Sequence, residues 1–477
     1  MKNNMFLASD RVLPWSIFFL SCIVYVSSIN YVSGGDAIYY ANIIDTLRFD
    51  QLTAHQFYYL LGFLCKHLFG WLFGLTTDQS LAIMSALFGG ASLCVGYLLL
   101  ECYLKSKKDA LLGTLILFLC NRFYVNATST EIYIVQTFFI WSSYLFFENR
   151  RFYRSGLFFA LALWTSPLTL AYALFFPAVA YLRKFGIQSL IRVAIPVVLV
   201  YAPFLLFFYK EMLWGVRGVI NQDEARQIDL ALCAYDVFRY QIKHYSFLNL
   251  LLVPAILAIR EQKLLFWITI AVALPNVYVI SQLRGEENVF ILTLDVFFSC
   301  WFMLGWRVLR VHSLAWLAVV LLIAHGIIFM ISDRPFLAAS NKTYGDEIRE
   351  IGDIIHRSGN SIAFADWSRR MALVYYNRSH SSYPLEQGYW YDASFDIDNL
   401  YITNFNKVAA TPEQFDKYDE VFVLESYSPS QQAKLFLDED TLKERYEHMS
   451  ERRRLERFLH VQCHPVRTGI LVLYRCR

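Results

Sequence analysis

Up to about residue 333 the chain is a series of long apolar stretches joined by short polar connections, and beyond that point short apolar runs alternate with charged ones. A membrane-crossing helix takes about 20 mostly apolar residues. On that measure the pattern predicts about eleven spans, near 13–32, 80–102, 109–124, 131–147, 155–166, 168–182, 188–209, 246–260, 263–281, 289–308 and 313–332. The pair over 155–182 is short, is broken at Thr165-Ser166-Pro167, and also fits a re-entrant hairpin. Asp333-Arg334-Pro335 marks a boundary that divides the chain into domains 1–334 and 335–477. Past it, Tyr344 to His356 has helical spacing and Thr441 to Phe458 reads as a charged amphipathic helix. Ser361 to Phe364, Glu420 to Leu424 and Gly469 to Tyr474 read as strands. The expected fold class is a polytopic α-helical membrane protein with a C-terminal extracytoplasmic α/β domain.

Composition agrees with that pattern. The 477 residues are 56% hydrophobic, 17% aromatic and 17% charged, against about 25% charged in an average soluble domain. A net charge of +3 and the absence of a basic tract with interleaved aromatics exclude nucleic acid as the partner. Nine cysteines are scattered without a CxxC or a Cys/His cluster of metal spacing, so no metal site is expected from them. The first span is long and lacks a small-residue cleavage site, so it is expected to stay as an anchor.

Basic residues set the orientation. Lys105, Lys107 and Lys108; Arg150, Arg151 and Arg154; Arg183 and Lys184; Arg260 and Lys263; and Arg307 and Arg310 fall in alternate connections. The positive-inside bias places all of these in the cytoplasm with the N-terminus, and the C-terminal domain outside. The outer side then gathers residues 33–79, the 210–245 segment and the 281–288 connection, with Glu131 heading a span from the same side. Aromatic Phe57 to Phe73 is expected to lie as a helix at the headgroup level.

Candidate chemistry concentrates on that side. In Ser33-Gly34-Gly35-Asp36-Ala37-Ile38-Tyr39-Tyr40 the glycines permit a sharp turn, which presents Asp36 at the bilayer surface. There it is either a catalytic carboxylate or a turn or helix-capping residue. Glu131 follows Thr128-Ser129-Thr130 and is either a site acid or a first-turn Glu favoured by the helix dipole. Arg284 is a candidate anion-binding cation, against a salt bridge with Glu286 or Glu287. Arg217 is the second candidate, against a solvated loop charge, and Tyr39 is grouped with these binding residues. His55 would bind a phosphate, a sugar or a metal, or serve the structure alone. His325 and Asp295 lie within spans, where polar side chains are costly, and both also fit packing roles. Cys463 and Cys476 both lie in the expected exported domain, where a disulfide is chemically possible, and the sequence leaves open whether they are bonded. The sequons Asn126-Ala127-Thr128, Asn341-Lys342-Thr343 and Asn377-Arg378-Ser379 do not settle the host.

Several stretches together resemble the GT-C superfamily of membrane glycosyltransferases, in particular the protein O-mannosyltransferase-like and dolichyl-phosphate-mannose-type enzymes. They are Gly34-Gly35-Asp36, Ala54-His55 leading into Phe57-Tyr58-Tyr59-Leu60-Leu61-Gly62, Thr130-Glu131-Ile132-Tyr133, and Trp164-Thr165-Ser166-Pro167. The likeness covers roughly residues 10–300. Such relatives usually follow Ala-His with Pro-Pro-Gly, where this chain has Gln56-Phe57. The resemblance implies that Asp36 is the catalytic Asp of the first outer loop and that Glu131 is the Glu of a Glu-Val-Tyr-like motif.

The activity so implied is inverting transfer of a sugar from a polyprenyl-phosphate donor to a hydroxyl acceptor (protein, lipid or envelope glycan) at the outer membrane face. Asp36 would be the general base, a guanidinium would meet the leaving phosphate, and a divalent cation has room in the scheme. The membrane would be the bacterial inner membrane or, in a eukaryote, the endoplasmic reticulum. The rival readings are a flippase for lipid-linked sugars and an O-antigen ligase or polymerase. An odd span count and the absence of repeat symmetry speak against the flippase, while the basic 210–245 segment favours the ligase.

Overall fold

The computed structural model describes residues 12–29, 35–47, 55–220, 230–282, 291–312, 314–333, 344–358, 361–365, 373, 396–399, 420–426, 463–467 and 471–475. The chain divides into two compact units, one of Met1–Asn30 with Arg48–Ala339, the other of Tyr31–Leu47 with Ser340–Arg477. The predicted helix at 441–458 and the 283–290 connection lie outside the described residues.

The first unit is helical. Its elements are α1 (Val12–Ser27), α3 (Gln56–Phe73), α4 (Thr77–Leu104), α5 (Lys107–Phe118), α6 (Asn121–Thr128), α7 (Ile132–Glu148), α8 (Phe152–Thr165), α9 (Phe175–Leu182), α10 (Ile187–Ile220), α11 (Leu230–Tyr245), α12 (Lys263–Gln282), α13 (Asp295–Val311) and α14 (Ala315–Asp333). The number α2 belongs to Gly35–Thr46 in the second unit. Among the described residues α4 and 292–311 are long and apolar enough to cross a membrane, and the bent pair α5–α6 is a third such segment. Shorter apolar helices accompany them at 12–27, 167–182, 187–203, 263–276 and 316–330.

Local chemistry sets the helix ends. The Gln79 side chain accepts from the Thr76 N–H at 3.1 Å to open α4, and Lys105 closes it in the left-handed region at φ 53°. Ser106 Oγ accepts from the Asp109 N–H at 3.3 Å to open α5. Helices approach closely where side chains vanish. A Cβ on Gly90 of α4 would stand 2.5 Å from Cys22 Sγ of α1, and one on Gly305 of α13 would strike the Leu251 carbonyl oxygen.

One end of this unit collects the basic connections. Arg307 Nε meets Asp109 Oδ2 at 2.6 Å, and its Nη2 donates to the Leu104 carbonyl. Arg183 donates to Glu148 Oε2 at 3.1 Å, and the Arg150 guanidinium lies 5.0 Å from the Phe185 ring centre. Cys102 lies within electrostatic reach of Glu148, Lys105 and Arg183, which joins the two groups. Residues 104–109, 148–150, 183–185 and 307 thus share one end, as the charge bias requires of loops on one side of a membrane.

Three expectations are corrected. The span expected at 109–124 is bent by 65° between Phe118 and Asn121 and runs on to Thr128. The helix expected over 188–209 continues through Pro196 and Pro203 to Ile220, so Lys210 and Arg217 are helical rather than in a loop. The 246–260 span is a run of short 3-10 and α turns over Ser246–Leu251, Leu252–Ala255 and Ile256–Ala258.

The second unit contains α2, α15 (Tyr344–Arg357) and five strands: β1 (Ser361–Ala365), β2 (Asp396–Asn399), β3 (Glu420–Ser426), β4 (His464–Arg467) and β5 (Leu471–Arg475). They form one sheet in the order β2-β1-β3-β5-β4. β1 is parallel to β2 and β3, while β5 is antiparallel to β3 and β4. Helix α15 buries Ile348, Ile351 and Ile355, which recur at helical spacing, and leaves Arg349, Glu350 and Arg357 outside. Arg475 of β5 pairs with Glu420 of β3 at 2.9 Å. Cys463, just before β4, is disulfide-bonded, and the register sets its neighbour His464 opposite Arg475, the neighbour of Cys476 in sequence. Position 476 itself lies outside the described residues.

Candidate active site

At the end of the helical unit away from the basic connections, three separate motif stretches converge. The link between α6 and α7 is clasped onto α4. Ser85 Oγ accepts from the Glu131 N–H at 3.2 Å and faces the Glu131 carbonyl at 3.4 Å, while Thr130 Oγ1 donates to the Asp78 carbonyl at 3.4 Å. Glu131 itself is extended, at φ −136° and ψ 135°, and half-buried. Tyr58, on the first turn of α3, is fully buried, and its hydroxyl lies within reach of Ser85 and the Glu131 charge.

The start of α3 is tied to the end of α8. His55 Nδ1 stands 2.8 Å from the Thr165 carbonyl, and Phe57 stacks on Trp164 with ring centres 5.4 Å apart at 25°. A carbonyl only accepts, so Nδ1 carries the proton. Burial holds the imidazole neutral down to a pKa of about 4, against a smaller opposing effect of that hydrogen bond. His55 is therefore no cation at neutral pH.

Structure distributes the other candidates. Asp36 and Tyr39 lie on α2, in the second unit. Gly35 already begins that helix, so Asp36 sits in its first turn rather than on a free turn after the glycines, a position favoured by the helix dipole. Tyr39 is half-buried, with its ring 6.0 Å from that of Tyr40. Arg217 lies on the backbone of α10, and Arg284 is outside the described residues. Among the described residues no group of three or more His, Cys, Asp or Glu side chains could hold a metal ion.

A second polar group lies inside the unit. Asp295 opens α13 and faces Arg122 of α6 at 3.7 Å, both side chains enclosed. His325 of α14 donates from Nε2 to the Leu119 carbonyl at 3.0 Å and stacks on Tyr245. Asp295 and His325 drew notice in the sequence, but Arg122 did not. Its signal was available: an arginine inside the apolar 109–124 stretch is costly enough to demand a partner.

No family model and no curated protein matches the chain. Among solved structures, ArnT from Cupriavidus metallidurans bound to undecaprenyl phosphate aligns over 99% of this chain and 99% of its own, with a TM-score of 0.54 at 9% identity. The apo state of the same protein aligns over 98% and 99%, with a TM-score of 0.52 at 9% identity. The Archaeoglobus fulgidus oligosaccharyltransferase in complex with zinc and sulfate aligns over 86% of this chain and 68% of its own, with a TM-score of 0.48 at 12% identity. The chain thus shares its fold with ArnT over nearly the whole of both chains.

Proposed function

We propose that this chain is an inverting glycosyltransferase that moves a sugar from a polyprenyl-phosphate donor to a hydroxyl acceptor at the outer face of a membrane. The observation that carries the reading is the convergence, at one end of a GT-C fold, of the His55, Glu131 and Trp164–Pro167 stretches. The acceptor oxygen attacks the anomeric carbon, the bond from that carbon to the phosphate oxygen breaks, and polyprenyl phosphate leaves with the electron pair. Asp36 takes the acceptor proton, and Glu131 orients the acceptor or shares the proton transfer. Arg284 and Arg217 are the candidate cations for the departing phosphate, with Tyr39 beside the donor. Neutral His55 accepts a hydrogen bond from a hydroxyl of the sugar or acceptor.

The donor class is supported by the undecaprenyl phosphate named for ArnT, whose fold this chain shares. In the proposed arrangement residues 1–334 carry about eleven spans and the transfer site, and 335–477 form an exported α/β domain. The disulfide at Cys463 supports that placement, because such bonds persist outside the reducing cytosol.

The test uses purified chain in lipid nanodiscs with a panel of polyprenyl-phosphate monosaccharides, scoring release of polyprenyl phosphate. Wild type is expected to turn over, and Asp36→Asn to lose about a thousandfold or more in kcat. Turnover that survives Asp36→Asn removes the base assignment. Movement of lipid-linked sugar across the bilayer without transfer supports the flippase instead.

A further inference from the structure

The interior of the helical unit holds an ion pair that the proposed reaction does not use. Arg122 and Asp295 have no exposed side-chain surface and stand 3.7 Å apart. Among the described residues, Arg122 Nε, Nη1 and Nη2 and Asp295 Oδ1 make no hydrogen bond, while Asp295 Oδ2 accepts a long one from the Cys120 thiol at 3.8 Å. Removing two charges from water costs several kcal/mol per ion, and a pair 3.7 Å apart with one long thiol hydrogen bond returns little of it. Well-packed apolar side chains would stabilise this spot at least as well. The pair's use is then sought in what it fixes.

It sits at the 65° bend between α5 and α6, with Cys120 between the two helices and Arg122 in the first turn of the second. His325 satisfies the Leu119 carbonyl at that bend, and Tyr245 stacks on the His325 ring at 6.3 Å. The bend is therefore held by α13, α14 and the end of α11. Beyond it α6 is a short lever, internally braced. Asn126 Nδ2 donates to the Arg122 carbonyl at 2.9 Å, Thr128 Oγ1 to the Tyr124 carbonyl at 2.9 Å, and the Ser129 N–H to the Val125 carbonyl at 3.0 Å. The next two residues are Thr130 and Glu131, clasped on α4 by the Asp78 carbonyl and Ser85. A change in the lever's angle displaces that clasp directly.

We propose that Arg122 and Asp295 are positioning residues that set the angle of α6 and so place Glu131. This rests on the reading of Glu131 as part of the transfer site. Neither residue touches the reacting atoms; both act through eight residues of helix.

The experiment compares wild type, Asp295→Asn, the apolar double variant Arg122→Met with Asp295→Leu, and the exchanged pair Arg122→Asp with Asp295→Arg, all as full chain in nanodiscs. Backbone hydrogen exchange over residues 125–133 reads the position of the segment without any assay of activity. Transfer from whichever polyprenyl-phosphate monosaccharide the wild type turns over is measured alongside. Asp295→Asn is expected to speed exchange over 125–133 by about tenfold and to lower kcat by about tenfold with donor KM within about twofold, well below its melting midpoint.

The apolar double is expected to keep the wild-type melting midpoint yet retain the fast exchange and low kcat, and the exchanged pair to recover part of both. An apolar double with wild-type exchange and kcat overturns the proposal, as does an exchange increase in Asp295→Asn spread evenly over the unit. If Asp295→Asn does not fold, the double decides. If wild type turns over no polyprenyl-phosphate sugar, the transferase reading fails by itself. Exchange over 125–133 in the double then still decides whether the pair holds the segment.

Discussion

Two arginine–aspartate pairs sit in the same helical unit, and they are built in opposite ways. At the basic end Arg307 reaches Asp109 at 2.6 Å, adds a bond to the Leu104 carbonyl, and keeps 27% of its side chain exposed. In the interior Arg122 and Asp295 stand 3.7 Å apart with no exposure and, among the described residues, no guanidinium hydrogen bond. The first satisfies its charges and lets water share the cost. The second leaves its donors idle in a place where that is expensive. A short, bonded pair at a surface accounts for itself as structure, whereas a loose buried one needs a reason beyond its own energy.

The largest effect should come from dividing the interior pair. Asp295→Asn leaves a buried guanidinium that cannot give up its proton, whereas Arg122→Met leaves a carboxyl that can become neutral. The loss expected for Asp295→Asn is about 3–5 kcal/mol, and Arg122→Met should cost clearly less. Melting midpoints in detergent give both values. Equal losses, or a larger one for Arg122→Met, would show that the guanidinium is solvated after all.

His55 handles burial in a third way, by staying neutral, and this gives a pH signature. An unfolded histidine titrates near 6.5 and the folded one near 4. Between these values the unfolded chain holds more protons, so stability present above pH 6.5 is lost as pH falls toward 4. At about 1.4 kcal/mol per unit the effect is at most roughly 3 kcal/mol, and less because His55 keeps some accessible surface. The melting midpoint of wild type should fall over that window, and His55→Asn should flatten the fall. An unchanged slope in the variant would assign the acid sensitivity to other groups.

The basic-end pair should yield less. Asp109→Asn keeps the shape and removes the charge, for an expected loss of roughly 1–2 kcal/mol, reduced by added salt because Arg307 is partly exposed. A loss as large as that of Asp295→Asn would erase the distinction between the two pairs.

How much of this was legible in the sequence follows from where its signals are local. Apolar length marked helices such as α4, α7, α12 and α14, charge bias matched the shared end of residues 104–109, 148–150, 183–185 and 307, and the strands at 361–365, 420–426 and 471–475 followed from β-branched and aromatic runs. The bend at Leu119-Cys120 was not legible, since neither proline nor glycine marks it. His325, some 200 positions away, meets the Leu119 carbonyl that the broken ladder frees, and Asp295, 175 positions away, meets the Cys120 thiol beside it. Strand β4 was passed over because it contains Pro465, which a sheet tolerates only at an edge, and β4 is an edge strand. The length of α10 was missed because the apolar run ends at Lys210-Glu211, yet the helix continues to Ile220. For the site, residue types were readable and companions were not. The contacts of His55 with Thr165 and of Glu131 with Ser85 span 110 and 46 positions.

The smallest effect on stability tests the most about the site. Ser85 holds both the N–H and the carbonyl of Glu131, at 3.2 and 3.4 Å, distances too long for strong bonds. Ser85→Ala should therefore cost only about 0.5–1 kcal/mol, less than any change to either arginine–aspartate pair. Its effect on transfer should be larger in proportion. The clasp fixes the backbone that carries Glu131, and small displacements of a reacting geometry are costly. A kcat lower by about tenfold with donor KM nearly unchanged is expected, and Ser85→Thr, which restores the hydroxyl, should recover most of it. Rates for the three proteins at one temperature well below their melting midpoints supply the comparison. If Ser85→Ala loses stability but transfers at the wild-type rate, the clasp is packing alone. The lever from Arg122 to Glu131 would then end at a residue whose exact placement the reaction does not feel.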